Sequence, residues 1–319
     1  MWKKSTFLAG ALAAGIFLSF SHEMAEAAEG LSSDMAIEIN IPSRTLCLYK
    51  DGGLVKKYSV GIGRPDSQTP LGDFKIRYKE KNPTWVSPAD ETKQVASGPE
   101  NPLGYRWMEI AGVYGIHGTN NPSSIGGYVS NGCIRMYEAD VEELYDIVPL
   151  ETPVTIEYER VRVEKTDDNS VYLTVYGDGY MKQSVTAGDL RNEIAKCDAK
   201  ANEVVSDARL AEIIGAASDS RVKLAQFYPV YVMGKLLDES GIVISGKYYV
   251  PVAAAAEVMD EEIGWNYYTS SVNGINGDAP AIVVNGKVYV DSEYSHTVFN
   301  AYANWQGSRE KLMLDDFKY

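Results

Sequence analysis

Gly115–Tyr137 reads GIHGTNNPSSIGGYVSNGCIRMY, with His117 near its start and Cys133 sixteen positions later. Four glycines, Gly118, Gly126, Gly127 and Gly132, lie between the two. A thiol directly behind a glycine lets consecutive backbone N–H groups converge on a reacting carbonyl, the geometry of an oxyanion hole. A histidine within reach can take the thiol proton and generate the thiolate, which is the nucleophile. Arg135, two residues beyond the cysteine, points the same way as Cys133 if the segment is extended, and its guanidinium can fork onto a carboxylate. The plain alternative is a buried small hydrophobe at Cys133 and an ordinary surface histidine at 117. Two apolar runs, Val113–Ile116 and Ile134–Met136, join directly onto the candidate residues, and a loop rich in Gly, Asn and Ser separates them. That is the layout expected where strand ends present a site.

The phrases His117-Gly118-Thr119-Asn120-Asn121-Pro122 and Ser130-Asn131-Gly132-Cys133-Ile134-Arg135-Met136 resemble the signature of the L,D-transpeptidase (YkuD-type) catalytic family. Thr69-Pro70-Leu71-Gly72-Asp73-Phe74 also recurs in that family, and the resemblance runs from Ala36 to Glu159. It implies Cys133 as nucleophile, His117 as its base, and the N–H groups of Asn131, Gly132 and Cys133 as oxyanion donors. The carbonyl of Gly118 would orient the imidazole. Arg135, Ser130 and Thr119 are the motif's substrate-binding candidates. Many members carry a second histidine where this chain has Asn131, a position that contributes mainly backbone.

The resemblance further implies a mainly β catalytic domain, an L,D-transpeptidase-like β-sandwich with short helices, acting on peptidoglycan stem peptides. Cys133 would expel a terminal D-alanine, hold the donor stem as a thioester and pass it to an amine, giving a 3→3 cross-link. Hydrolysis of the same thioester would make an L,D-carboxypeptidase. A non-catalytic envelope-binding protein is the third reading, and retention of both His117 and Cys133 argues against it. A papain-like protease is disfavoured because its cysteine precedes its histidine.

The chain has 319 residues and a formal net charge of −14, room for two or three domains and little attraction for nucleic acid. Met1-Trp2-Lys3-Lys4, an apolar run from Phe7 to Phe20 and Ala25-Glu26-Ala27 form a secretory signal-peptide pattern over residues 1–27. The expected address is extracytoplasmic, in periplasm or cell wall. Removing Lys3, Lys4, Glu23 and Glu26 leaves the net charge unchanged. Three cysteines, Cys47, Cys133 and Cys197, leave at least one thiol unpaired. Cys47, in an alternating strand, and Cys197, at helical spacing from Leu190 and Ile194, read as core residues. With so few soft ligands, neither metal nor cofactor is expected.

Along residues 28–159, Ile37–Ile41, Thr45–Tyr49 and Leu54–Val60 alternate as strands, with a turn at Asp51-Gly52-Gly53. Asn82–Tyr105, with four prolines and Trp85, reads as a long loop without regular structure, a lid over the cysteine. Trp85, Tyr105 and Trp107 are candidate substrate walls, the alternative being that they plug the core. Glu138–Val148 reads as an amphipathic helix and Thr152–Tyr158 as a closing strand. Residues 160–227 form an α+β connecting region with a strand over Val171–Tyr176, helices over Leu190–Cys197 and Ala208–Ile214, and no site chemistry.

Residues 228–319 hold a repeat. Gly241–Val250 (GIVISGKYYV) returns forty residues later as Ala281–Val290 (AIVVNGKVYV). Each copy predicts two strands about a Ser-Gly or Asn-Gly turn, then a helix, Val252–Met259 and Glu293–Asn304, which makes a small repeated ββα module. With Gly264-Trp265-Asn266, the tail resembles the copper amine oxidase N-terminal (stalk-like) domain family, without the ligands for copper. Tyr248, Tyr249 and Tyr289, beside Lys247 and Lys287, would either face a cell-wall or envelope ligand or pack between the copies. His296 reads as an ordinary helical residue. Oligomeric state is not legible.

Overall fold

The computed structural model describes residues 35–316, so the expected signal segment lies outside the described residues. Strands take 44% of the described residues and helices 21%, a mainly β protein of several sheets. The first part contributes β1 (Met35–Asn40), β2 (Thr45–Lys50), β3 (Gly53–Ser59), β4 (Ile62–Gly63), β5 (Gly72–Lys75), β6 (Tyr78–Lys81), β7 (Trp85–Ser87) and β8 (Asp90–Val95). β9 (Arg106–Ala111), β10 (Tyr114–His117), β11 (Tyr128–Ser130), β12 (Ile134–Arg135), helix α1 (Glu138–Ile147) and β13 (Pro153–Glu157) follow. One five-stranded sheet runs β3-β2-β1-β13-β5 and a four-stranded sheet runs β12-β10-β9-β6.

Strand alternation explains why these two sheets share a core. Ile37 and Ile39 of β1, Leu46 and Leu48 of β2, and Val154 and Ile156 of β13 sit at period two and are buried. Met108 and Ile110 of β9, Ile116 of β10 and Ile134 of β12 meet them from the second sheet. Val141, Leu144 and Tyr145 of α1 close the same cluster. The β2–β3 hairpin turns at Asp51 and Gly52, both at positive φ, as a two-residue hairpin loop requires.

Asn82–Tyr105 is not irregular. β7 and β8 pair as an antiparallel ribbon, and fully buried Asn101 ties its base by donating to the Pro83 and Val95 carbonyls and accepting from Leu103 N–H. The ribbon escapes a sequence reading because Asp90–Val95 (DETKQV) has no apolar alternation to announce a strand.

The connecting region holds β14 (Val161–Lys165), β15 (Ser170–Val175), α2 (Ala187–Cys197), α3 (Ala199–Val204), α4 (Asp207–Ala216) and β16 (Val222–Tyr228). α2 starts on a capping box in which Thr186 and Asp189 satisfy each other's backbone N–H. The tail adds β17 (Val230–Val232), β18 (Lys235–Leu236), β19 (Gly241–Ile244), β20 (Lys247–Pro251), α5 (Val252–Met259), β21 (Gly264–Asn266) and β22 (Ser271–Gly274). It ends with β23 (Gly277–Val284), β24 (Lys287–Asp291), α6 (Ser295–Phe299), β25 (Tyr302–Gln306) and β26 (Lys311–Asp315). A nine-stranded sheet, β14-β15-β16-β19-β20-β24-β23-β22-β21, runs through both regions. The line drawn at 227/228 therefore falls inside β16.

The two repeat hairpins turn at Ser245-Gly246 and Asn285-Gly286, all four residues at positive φ, and each leads into a helix. The second helix is shorter than the periodicity predicts. Asn300, at φ 52, ends α6, and Tyr302–Asn304 enter β25 instead, paired with β26. The repeat's polar residues are engaged internally. Tyr248 packs with Tyr228 and Trp305, Lys247 pairs with Asp291, and Lys287 and Tyr289 both reach Glu239. His296 packs against Tyr302 with the rings tilted.

Candidate active site

β10 lies between β9, antiparallel, and β12, parallel, with Ile116 beside Ile134 and His117 beside Arg135. Ile116 and Ile134 point into the core, so the alternation turns His117 and Arg135 to the opposite face of the sheet. Cys133, two residues before Arg135, shares that face, and the Gly115 backbone amide lies against its sulfur. Trp107, opposite His117 on β9, stacks on the imidazole with ring centroids 5.6 Å apart and 26° between planes. Trp107 thus covers the histidine rather than the core.

The cysteine loop is held by Ser130. Its buried hydroxyl accepts the Gly132 N–H at 3.1 Å and donates to the Cys133 carbonyl at 2.6 Å. Gly132 has φ +111 and faces the Tyr114 ring, which would overlap any Cβ there. Ser130 therefore buttresses the loop instead of facing substrate. It also uses the Gly132 N–H, which corrects the expectation of that group as an oxyanion donor. The N–H groups of Asn131 and Cys133 have no protein acceptor among the described residues.

His117 is 4% exposed and its Nδ1 lies 2.6 Å from the Gly118 carbonyl. A carbonyl can only accept, so Nδ1 carries the proton and Nε2 presents a lone pair. Gly118 accordingly orients the imidazole, and its role is not that of an oxyanion donor. Burial pushes the His117 pKa down to about 4; the Gly118 carbonyl opposes this and the Arg135 cation adds to it. Burial pushes the Cys133 thiol up, with the Gly115 amide and Arg135 pulling it back. The resting pair is therefore a neutral thiol and a neutral imidazole. The thiol donates to the Val113 carbonyl at 3.5 Å.

Arg135 has no carboxylate partner among the described residues, and its Nε is buried without an acceptor. A half-buried guanidinium in that condition is available to an anion. Thr119 is tied into the fold. Its hydroxyl accepts from Asn121 N–H, and its own N–H donates to Glu138 Oε1 at 2.6 Å. Tyr105 N–H donates to Glu138 Oε2 at 3.1 Å.

Glu138 is the residue the sequence reading missed. An acid at the first position of a helix reads as a partner of the helix dipole. Here its carboxylate reaches back and joins the Gly104-Tyr105 turn to the Gly118-Thr119 turn behind the histidine. Both glycines stand where a Cβ would overlap that carboxylate, a close-approach signal that two glycines in separate motifs could have given. Glu138→Ala leaves the Tyr105 and Thr119 N–H groups without acceptors, a loss of about 1–3 kcal/mol each when buried and less where water reaches them. Turnover should fall with stability, because the Gly118 carbonyl that sets the imidazole tautomer loses its anchor. Thermal unfolding and kcat of Glu138→Ala, measured together, check this; an unchanged melting temperature would contradict the clamp.

Comparison with known proteins gives the family of the first part. The L,D-transpeptidase catalytic domain family (YkuD) matches residues 34–156. A Bacillus subtilis protein, YqjB, named as a candidate L,D-transpeptidase, is 36% identical over 146 residues, which are 44% of this chain and 75% of the relative. A Bacillus licheniformis relative, YkuD, also named as a candidate L,D-transpeptidase, is 43% identical over 121 residues, 38% of this chain and 64% of that one. The chain spans about half the length of the Escherichia coli relatives it matches, among them ErfK/SrfK at 33% identity over 154 residues. Among solved structures, the catalytic domain of an Enterococcus faecium L,D-transpeptidase is 28% identical, covers 40% of this chain and all of its own, and has a TM-score of 0.33. Through its first described segment, which carries His117, Cys133 and Arg135, the chain belongs to the L,D-transpeptidase family.

Proposed function

We propose that the protein is an extracytoplasmic peptidoglycan L,D-transpeptidase with Cys133 as nucleophile and His117 as base. The observation that carries this is the shared sheet face of Cys133, His117 and Arg135, with the imidazole fixed so that Nε2 is the basic nitrogen. As the thiol attacks the donor carbonyl, its proton passes to Nε2, and the oxyanion is met by the N–H groups of Cys133 and Asn131. The tetrahedral adduct collapses, the proton moves from Nε2 to the departing amine of the terminal D-alanine, and a thioester remains on Cys133. An acceptor amine then attacks the thioester, gives its proton to His117, and leaves with a new amide while the thiol is restored. Arg135 holds a carboxylate of donor or acceptor. Every step balances without a metal or cofactor.

The neutral resting pair suits this sequence. Proton transfer coincides with attack, so a charged thiolate need not wait in a half-buried site where desolvation opposes it. The repeat tail, residues 228–319, acts as an accessory part of the same exported chain, setting its place in the envelope.

Mass analysis of products from defined stem peptides tests the reading. Cross-linked dimers should exceed trimmed tripeptide at high stem concentration, because a held amine competes with water at high effective molarity. If only tripeptide accumulates across a wide concentration range, the thioester goes to water and the enzyme is an L,D-carboxypeptidase.

A further inference from the structure

The connecting region lies beyond the family match at residues 34–156, yet one of its side chains is built into the first core. Tyr180 is 4% exposed and belongs to the cluster formed by Ile37, Leu46, Ile116, Ile134 and Ile156. It stacks on Tyr158 at 5.7 Å and meets Tyr128 edge-on at 5.5 Å. Its hydroxyl donates to the Gly63 carbonyl at 2.8 Å and accepts the Thr69 N–H at 3.1 Å. Thr69 is itself buried, and its Oγ1 accepts the Gly63 N–H at 2.9 Å. One hydroxyl thus closes the 63–69 turn from inside.

That turn supports the cysteine. Gly63 on β4 pairs with Ser130 on β11, and Arg64 N–H donates to the Ser130 carbonyl at 2.9 Å. Ser130 in turn holds the Gly132 N–H and the Cys133 carbonyl. Tyr128, which Tyr180 meets, is two residues upstream on the same strand. From the Tyr180 hydroxyl to the Cys133 backbone, every link is a hydrogen bond or a strand pairing, and Tyr180, Gly63, Thr69 and Ser130 are all buried.

The segment carrying Tyr180 is fixed in its own right. The Asp178 carboxylate accepts from Tyr158 OH at 2.5 Å, from Lys182 N–H at 2.9 Å and from Gln183 N–H at 3.1 Å, and pairs with Arg160 at 3.6 Å. Asp219 takes the Gly177 N–H at 2.8 Å and pairs with Arg44, which ties the Gly177 end of the strap to the first part, while Arg160 donates to the Gln183 carbonyl at the other end. The Asp178 carboxyl lies below its ordinary range although burial opposes this, because Tyr158, the two amides and Arg160 all favour the anion.

We infer that Tyr180 is a positioning residue for the Cys133 loop, so that the catalytic unit of this chain extends past its family segment through the Gly177–Gln183 strap. The inference rests on the reading of Cys133 as the nucleophile, and its consequence is specific. Removing the hydroxyl leaves the Gly63 carbonyl and Thr69 N–H buried without partners, and the turn must shift to rehydrate them. The backbone of Ser130–Cys133 shifts with it, displacing the N–H groups that meet the oxyanion. Transition-state placement suffers while ground-state binding, made elsewhere on the sheet face, does not.

The test uses the full chain and Tyr180→Phe, which keeps the ring. Two quantities are read: the maximal rate of Cys133 acylation by a thiol-reactive β-lactam, followed by peptide-resolved mass spectrometry, and amide hydrogen exchange over residues 128–134. The expected result is a maximal acylation rate about tenfold lower, a half-saturating concentration within twofold, and exchange faster over 128–134 than in the rest of the core. Asp178→Asn, which loosens the strap without opening the buried ring site, should move both quantities the same way by less and covers the case in which Tyr180→Phe folds poorly. Wild-type acylation and exchange in both variants would overturn the inference, as would a change in half-saturation alone. If wild-type Cys133 is not acylated at all, the reading of the nucleophile fails instead, and exchange over 128–134 alone decides the role of Tyr180: faster supports it, unchanged overturns it.

Discussion

Cys133→Ala is expected to abolish covalent chemistry while leaving the fold intact, with kcat on stem peptides lower by at least about 10⁴-fold. The size follows from mechanism. Without the sulfur no thioester forms, and direct attack by an acceptor amine would have to pass a single high barrier in place of two lower ones. The small structural effect follows from packing. The thiol is half-buried, and its polar contacts are a long hydrogen bond to the Val113 carbonyl and the Gly115 amide. The loop is held by Ser130, Gly132 and Tyr114, none of which needs the sulfur. A stability change within about 1 kcal/mol is therefore expected. Cys47 and Cys197 remain as thiols in the variant, so intact-mass measurement after incubation with a thiol-acylating reagent separates the three. Buried Cys47 should stay unmodified, and loss of the adduct should track Cys133 alone. Comparable product formation by the alanine variant would end the assignment.

Much of this was legible in the sequence, where the signal was local and repeated. Ile37, Ile39, Leu46 and Leu48 alternate as the pleat demands, and Asp51-Gly52, Ser245-Gly246 and Asn285-Gly286 mark their turns by positive φ. The sharing of one face by His117, Cys133 and Arg135 follows from period two once both runs are strands. What was not legible depends on partners far apart in the chain. Ser130 could not be seen taking the Gly132 N–H without the loop's return. Glu138 is a helix-start acid until Gly104 and Gly118 are brought around it. Tyr180 is forty-seven residues past Cys133, in a region with no periodic feature of its own, and only the tertiary fold carries its hydroxyl to Gly63. The β7–β8 ribbon failed differently, because β8 (DETKQV) is polar on both faces up to Val95 and β7 is only three residues long.

His117→Ala should lower kcat by about 10²–10⁴-fold, the range supplied by a positioned general base. The pH behaviour tells more than the magnitude. With its pKa pushed down to about 4 by burial, the wild-type imidazole stays neutral and basic well below neutrality. kcat/KM should thus hold from pH 7 to about pH 5 and bend only near 4. An acid limb near the ordinary histidine value of 6.5 would instead mean that the folded site leaves the imidazole unshifted, and a rate lost on an alkaline limb as the imidazole gives up its proton would mark a thiolate–imidazolium pair. The same shift has a stability consequence of definite sign. Between pH 6.5 and 4 the unfolded chain takes up a proton at this position and the folded chain does not, so the stabilisation present above 6.5 is lost as pH falls, by about 3 kcal/mol at full extent. Glu157 acts in the opposite sense. Burial and the neighbouring Glu38 push its carboxyl up to about 8, so the folded chain there holds a proton that the unfolded chain releases, and acidification below 8 favours the fold until about 4.5. The wild-type profile mixes both, whereas the difference between wild type and His117→Ala isolates the histidine. Denaturant unfolding at pH 7 and 4.5 should show the alanine variant losing about 2–3 kcal/mol less than wild type on acidification. Equal losses in the two proteins would mean that His117 is already charged or exposed in the folded state, and that the neutral base assigned to it is wrong.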